Sequence, residues 1–512
     1  MLTLRSALER AERLYGANTA IIDRDVRFTW SEHIERVQRL ASVLEQNGIS
    51  KGDRFAIISR NSWRQFELLH AAYWSGVVPV PVNYRLAPPE IQYILDDAEV
   101  KKVFVEDIFT KFMETKPLNA WKNSVICIPS GAGDVDFPTI EDLFVNAEFS
   151  QGSESDESDD AIILYTGGTT GRSKGVRLTH KNVFTNGQQN TGPMKMQSKD
   201  IYLHVAPMFH SADLLGTGYT LAGAAHAFLP TFTPVDILQA IQEYGVTSVM
   251  MAPTMIILTL QEPNFSNYNL SSLDRVYYGS SPMAVEWIRR TMDAFPNAKI
   301  QQGYGLTETS PILTTLDEDL HVRAIESENY DILKAAGRPL VGIDMRIVDE
   351  EGNEVACGDP GEVVVRGPNV TVGYLNRPQE NARAFRNGWF HTGDVGKMDK
   401  HGFMYLLDRK KDVIITGGEN VYSSEVEAVL YQHENISECA VVGVPDDKYG
   451  EALFAAIVVR PGTVLTQEAV IEHCRGRIGG YKIPRRMVFV QELPKSAMGK
   501  ILKTKIRETY GE

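Results

Sequence analysis

Cysteine is scarce in this 512-residue chain: Cys127, Cys357, Cys439 and Cys474 stand far apart, and no C-x-x-C pair occurs. That spacing excludes a disulfide framework and a zinc-ligand motif, and four reduced thiols are the expectation. No run of about 18 apolar residues is present, so no membrane-spanning helix is expected. Positive charge is in deficit, with 52 Lys+Arg against 66 Asp+Glu and a net charge of −14 at pH 7. This argues against non-specific binding to nucleic acid or to an anionic membrane, both of which need clustered basic residues. Residues 1–10 lack the basic start and continuous apolar core of a secretory leader, which makes the cytoplasm the expected location. Repeats, periodic glycine and long low-complexity tracts are missing too, which excludes solenoid and collagen-like chains. What remains is an ordinary globular composition, 43% hydrophobic and 23% charged, long enough for several domains or a large fused α/β body.

Along the first hundred residues strands and helices alternate. Thr29-Trp-Ser-Glu32 reads as a helix start, followed by Ile34, Val37, Leu40, Ala41 and Leu44 at helical spacing and by Gly48 as a stop. Phe55–Ile58 is a short buried strand. Asn61 is expected to open the next helix, which carries Trp63, Phe66 and Leu69 and ends at Gly76, and Val77–Val82 follows as a strand. Strand, helix, strand implies crossover units and a mostly parallel sheet covered on both faces. Residues 150–160 form a polar acidic loop, and 200–300 resume the α/β pattern. From 340 to 407 short strands alternate with Gly and Pro, an all-β signature, and beyond Asp408 helix and strand alternate again.

The most informative stretch is Tyr165-Thr-Gly-Gly-Thr-Thr-Gly-Arg-Ser-Lys-Gly-Val176. Gly167, Gly168, Gly171 and Gly175 let backbone approach an anion; Thr166, Thr169, Thr170 and Ser173 offer hydroxyl donors; Lys174 adds a positive charge. It is not a Walker A loop. Gly171-Arg-Ser-Lys-Gly175 matches the esterase elbow G-x-S-x-G, but the strand ahead of it ends six residues too early for a nucleophile elbow. The G-x-G pairs at Gly131, Gly216 and Gly303 lack the third glycine of a dinucleotide fingerprint.

The segment from Tyr165 to Val176 resembles the phosphate loop of the adenylate-forming superfamily: acyl-CoA synthetases, peptide-synthetase adenylation domains and beetle luciferases. It departs from that pattern at Gly167, where the family usually has Ser, and at Ser173, where it usually has Pro. The other motifs of the family follow in order. Gln302-Gly-Tyr-Gly-Leu-Thr-Glu308 is similar to the segment in which an aromatic ring packs on adenine. The resemblance implies that Tyr304, among Gln302, Gly303 and Gly305, stacks on the base, that Thr307 contacts the α-phosphate, and that Glu308 holds Mg²⁺. Trp389-Phe-His-Thr-Gly-Asp394 is similar to the ribose-binding segment and gives Asp394 the sugar diol. Leu407-Asp-Arg-Lys-Lys-Asp412 resembles the interdomain hinge, so Arg409 reaches ribose or phosphate and Lys411 takes up the rotation. Ile415-Thr-Gly-Gly-Glu-Asn-Val421 resembles the strand-loop along the thiol tunnel, where Gly417 and Gly418 leave room for a pantetheine arm. Pro494-Lys-Ser-Ala-Met-Gly-Lys500 resembles the terminal motif whose last lysine, here Lys500, catalyses adenylation.

The fold implied is α/β: a large N-terminal domain, residues 1–408, of two α/β subdomains plus a distorted β-barrel. A small mobile α+β domain, 409–512, follows a hinge at 408–412. The activity implied is acid–thiol ligation. A carboxylate attacks the α-phosphate of ATP, giving an acyl-adenylate and pyrophosphate, and the acyl group then passes to coenzyme A with release of AMP. ATP, Mg²⁺ and coenzyme A are the expected cofactors, the partners are small molecules, and a homodimer is compatible with the chain.

Ala206-Pro-Met-Phe-His210 places His210 where amino-acid-activating relatives carry an aspartate, which favours a plain acid with His210 near the carboxylate or gating the tunnel. The expected acyl wall is apolar: Leu214, Leu215, Met250, Met251, Tyr277 and Tyr278, with Gly279, Ser280 and Ser281 at its mouth and counted with the nucleotide-binding residues. Methionines make that wall adaptable, so a medium- or long-chain fatty acid is expected ahead of a cinnamate- or benzoate-type acid. No carrier domain follows Lys500, which favours coenzyme A over a carrier protein as acceptor. Acyl-AMP loading of a carrier, a luciferase-like oxygenase and a silent acyl or nucleotide binder are the alternatives.

Overall fold

The computed structural model describes residues 1–133, 136–145, 147–166, 172–281, 283–446, 448–495 and 501–511. The chain groups into two compact units, Met1–Asp344 with Val365–Phe390 and Met345–Val364 with His391–Glu512.

In the first unit, Thr29 caps the helix Trp30–Gln46 through a reciprocal box with Glu32, and Ile34, Val37, Leu40, Ala41 and Leu44 are all fully buried. Each such side chain contributes roughly 1.5–3 kcal/mol by leaving water. The helix packs beside Trp63–Ser75, which ends on a left-handed Gly76. The cap of that second helix is Ser62 rather than Asn61. Asn61 instead takes its amide elsewhere, to the loop described below.

Behind these helices lies a four-stranded parallel sheet in the order Val78–Pro81, Arg54–Ile58, Lys102–Glu106, Val125–Ile128. Val78 and Val82 donate their N–H groups to Asp53 and Ile57, so Pro79 and Pro81 place their missing donors on the outer edge. A nine-stranded sheet forms the second α/β half. Its parallel core runs Lys299–Tyr304, Arg275–Gly279, Ser248–Met251, Ile201–His204, Ala225–Phe228, Thr19–Asp23. From Ile201–His204 the chain steps to one side, into Ala225–Phe228, and then returns to the other side, into Ser248–Met251. Strand order therefore reverses there, and in such sheets the crevice beyond the carboxyl ends at the reversal is where ligands bind. A third, three-stranded sheet holds Gly373–Tyr374, Lys174–Thr179 and Asp160–Thr166.

The second unit opens with short antiparallel strands over 345–364 and 391–409, the all-β stretch read from the sequence. It continues into a sheet centred on Ile436–Asp446 and Gly450–Val459, joined by Arg486–Val490 in parallel. Helices Ser423–Leu430 and Gln467–Cys474 cover one face through Val426, Leu430 and Val470. Lys503–Tyr510 covers the other through Ile506, and Tyr510 stacks on Phe454. The expected class, α/β with a small α+β portion, is the architecture found, and a five-stranded sheet stands where a distorted β-barrel was expected. All four cysteines are free; only Cys357 is exposed, and burial pushes the Cys127 thiol up to about 11.

Candidate active site

In the first unit the conspicuous side chains gather at the carboxyl ends of the parallel strands. The loop leaving Ile201–His204 is fixed by Asn61, whose amide donates to the carbonyls of His204 (3.1 Å) and Ala206 (2.9 Å) and accepts from the N–H of Met208 (2.8 Å). His210 then caps the short turn Ser211–Leu215, its Nδ1 accepting from the N–H of Ala212 at 3.2 Å. In the neutral ring the proton is therefore on Nε2. Ser211 Oγ lies 3.0 Å from Thr307 Oγ1.

A buried chain supports this turn from beneath. Asp213 meets His204 Nδ1 at 2.5 Å, His204 Nε2 meets His226 Nδ1 at 2.8 Å, and His226 Nε2 meets Thr220 Oγ1 at 3.2 Å. Burial holds His226 well below its ordinary pKa, so that ring stays neutral at neutral pH. Neither Asn61 nor this histidine chain was readable as site-building from the sequence.

The strand Arg275–Gly279 ends beside Lys299–Tyr304 in the register pair Gly279 and Gly303. A Cβ on Gly279 would lie 2.5 Å from the Gly303 carbonyl oxygen, and one on Gly305 would lie 1.9 Å from that of Pro311. These positions are glycine because two strand ends and the following loop converge there. Ser280 continues with φ 68°, a left-handed backbone uncommon outside glycine and frequent at functional turns. Ser280 and Ser281 are exposed, while Tyr304 is buried at the next strand end. Gln302 Oε1 lies 3.2 Å from the Tyr278 hydroxyl, which also meets His321 Nε2 at 3.0 Å. Burial drives His321 down to about 4.

The expected acyl wall is tightly packed. Met250, Met251, Tyr277, Tyr278 and Leu215 are buried, Tyr277 donates to the Met194 carbonyl at 3.0 Å, and Tyr219 donates to Tyr277 at 3.3 Å. The hydroxyls of Tyr277 and Tyr278 have partners within the first unit, Met194, Gln302 and His321 among them.

The phosphate-loop hairpin closes on the pair Thr166 and Lys174, so Lys174 opens a strand rather than lying within the loop. Gly167, Gly168, Thr169, Thr170 and Gly171 lie outside the described residues, as does Lys500. Lys174 Nζ sits 5.3 Å from the ring centroid of Tyr374, whose hydroxyl donates to Glu308 Oε1 at 2.8 Å. Thr371 N–H donates to the Glu308 carbonyl at 2.8 Å. Sequence reading passed over Tyr374: it lies in a two-residue strand, too short for any periodic signal.

Glu308 and the hydroxyls of Thr307 and Ser211 are hard oxygen donors. Among the described residues no group of three or more His, Cys, Asp or Glu is arranged to hold a metal. One carboxylate, with phosphate and water completing the shell, is how Mg²⁺ is ordinarily held, and the donor set fits it.

In the second unit, Asp394 is buried and paired with Arg409 Nε at 2.8 Å across the register pair that joins their strands. Its N–H donates to Thr392 Oγ1 at 3.0 Å. Beside it Glu362 meets His391 and Lys410, each at 3.2 Å. Burial works to raise the Glu362 carboxyl, but those two partners hold it below its ordinary value. Lys411 is exposed. Gly417 and Gly418 form the two-residue turn between Ile414–Thr416 and Glu419–Val421, with φ of 60° and 87°. Two successive positive φ values define the hairpin turn that glycine forms without strain.

Comparison with known proteins gives the class. Residues 8–375 match the family described as AMP-binding enzyme, and 425–500 match its C-terminal domain. The chain belongs to this family, and it is an adenylate-forming enzyme of the acyl-CoA synthetase kind. It is 32% identical to a long-chain-fatty-acid–CoA ligase of Bacillus subtilis, over 100% of this chain and 95% of that one. It is 34% identical to a feruloyl-CoA synthase of an Amycolatopsis species, over 98% of both. The crystal structure of ATP-bound MatB from Rhodopseudomonas palustris superposes with a TM-score of 0.88 at 30% identity over 99% of both chains. No described helix is long and apolar enough to cross a membrane.

Proposed function

We propose that this enzyme joins a hydrophobic carboxylic acid to coenzyme A through an acyl-adenylate, with a medium- or long-chain fatty acid as substrate. The observation that carries the reading is the convergence of Lys174, Glu308, Thr307 and Tyr304 at strand ends of the first unit. One basic and one acidic group around a hydroxyl and a buried ring suit a nucleoside triphosphate and its counter-ion.

In the first half-reaction a carboxylate oxygen of the acid attacks the α-phosphorus of ATP, the bond to the β-phosphate oxygen breaks, and pyrophosphate leaves. No protein nucleophile is needed. Tyr304 stacks on adenine beside Gln302, Gly303 and Gly305. Thr307, oriented by Ser211, donates to an α-phosphate oxygen, and Lys174 neutralises the departing phosphates with the loop 166–171. Lys500 draws the two anions together. Asp394 takes the ribose hydroxyls, and Arg409, paired with it at 2.8 Å, reaches ribose or phosphate. Mg²⁺, when bound through Glu308, supplies charge neutralisation at the phosphates.

In the second half-reaction the thiol sulfur of coenzyme A attacks the acyl carbonyl, AMP leaves, and the thiol proton is released. We place the hinge at 408–412, with Lys411 absorbing the rotation that withdraws Lys500 and brings Gly417 and Gly418 beside the pantetheine arm. His210 faces the acyl group with Nε2–H as donor.

The acid is chosen by Met250, Tyr277 and their neighbours. Their internally satisfied hydroxyls support an apolar tail, and methionine supports variable length. The tyrosine rings favour an aryl acid as a second reading. A panel of straight-chain and cinnamate-type acids, with acyl-CoA detected by mass, tests both. Preference for C8–C18 acids supports the first; preference for aryl acids supports the second; thioester from neither, with acyl-AMP accumulating, points to a carrier-protein acceptor.

A further inference from the structure

Tyr374 joins two motifs that are far apart in sequence. Its backbone is clamped by Asn381, which accepts from the Tyr374 N–H at 2.7 Å and donates to its carbonyl at 2.9 Å. The strand Gly373–Tyr374 pairs with Lys174–Thr179, and Leu375 N–H donates to the Gly175 carbonyl at 2.8 Å. The same segment grips the other motif twice, through Thr371 N–H on the Glu308 carbonyl and the phenol on Glu308 Oε1. The ring lies under Lys174 Nζ.

Resting on the reading of Glu308 as the Mg²⁺ ligand, we propose that Tyr374 is a positioning residue that sets cation selectivity. A hydrogen bond on Oε1 takes one of that oxygen's lone pairs, which leaves Oε2 the freer oxygen for a cation. A single oxygen suits Mg²⁺, which takes short, octahedral bonds and keeps its waters; Ca²⁺ gains from a carboxylate that binds through both oxygens. The phenol thus favours the smaller ion. It also fixes the distance between Glu308 and Lys174, the two groups placed on either side of the triphosphate.

The test uses Tyr374→Phe, which keeps the ring under Lys174 and removes the hydroxyl. Binding of α,β-methylene-ATP is measured by calorimetry during titration with Mg²⁺ and separately with Ca²⁺, on the wild type, Tyr374→Phe and Glu308→Gln. The proposal expects the ratio of half-saturating Ca²⁺ to Mg²⁺ to fall roughly tenfold in Tyr374→Phe, the size of effect common for partners of metal ligands. Glu308→Gln is expected to lose the cation dependence. If Glu308→Gln loses it while Tyr374→Phe keeps the wild-type ratio, Glu308 is the ligand and the selectivity proposal is overturned. If Glu308→Gln retains wild-type dependence, the assignment of Glu308 falls and the proposal falls with it. Thermal unfolding of the three proteins separates a loss of folding from either result.

Discussion

The sites of the two units treat charge differently, although paired ions such as Arg36 with Glu67 and Arg275 with Asp200 occur in the first unit too. In the second, charged groups are matched internally: Asp394 with Arg409, Glu362 with His391 and Lys410, Asp412 with Arg507, Glu427 with Lys503. In the first, Glu308 and Lys174 meet across one neutral phenol. A site built this way has charge left to place on a ligand, and a triphosphate with its cation supplies both signs. Asp394 of the second unit is in the opposite condition, already paired with Arg409 through Oδ1.

The largest expected break is at Lys500, proposed above to draw the carboxylate and the α-phosphate together. Lys500→Ala should lower adenylate formation roughly 10²–10³-fold, the scale for losing one electrostatic contact to the transition state, while thioester formation from supplied acyl-AMP survives. Rapid-quench assays of each half-reaction check this, and a parallel fall in both contradicts it. Next is Glu308→Gln, an isosteric change that removes charge; adenylate formation at fixed Mg²⁺ should fall about 10–100-fold. A smaller effect is expected at Asp394→Asn, which weakens the ribose contact and the Arg409 pair together. The KM for ATP should rise about tenfold with the KM for the acid unchanged, measured by pyrophosphate release.

Acid should distinguish the units as well. Burial holds His33 down to about 3, and His180 and His321 to about 4, all in the first unit. Between pH 6.5 and 4 the unfolded chain binds protons that the folded chain refuses, so stability is complete above 6.5 and falls as pH drops. Each histidine removes up to about 1.4 kcal/mol per pH unit. In the second unit, paired Glu362 is held down and loses its contribution only below the ordinary carboxylate range. Hydrogen exchange at pH 5 should therefore show earlier loss of protection in the first unit. Least of all, Gly418→Ala at φ 87° should cost about 1 kcal/mol in thermal unfolding and leave adenylate formation intact.

Much of this was legible in the chain before any coordinates. The helix at Trp30–Gln46 announced itself through a capping box and five apolar positions at helical spacing, all of which proved buried. Local signals of that kind are enough for elements, whereas Lys174, Glu308 and Asp394 came as candidates from family resemblance alone. Two kinds of residue escaped. Asn61 looked like a cap because Asn is a good one, and only the fold shows that its amide is taken by the loop at 204–208. Tyr374, His204 and Asp213 act across long sequence separations or within segments too short for periodicity, and nothing local marks such contacts.

Acid-dependent exchange of labelled pyrophosphate into ATP, run without coenzyme A, addresses the central claim most directly. The account predicts exchange that requires both a hydrophobic acid and Mg²⁺ and that falls roughly 10²–10³-fold in Lys500→Ala, because the adenylate forms reversibly before any thiol is needed. Exchange absent with every acid, or ATP cleaved to ADP and phosphate instead, would contradict it.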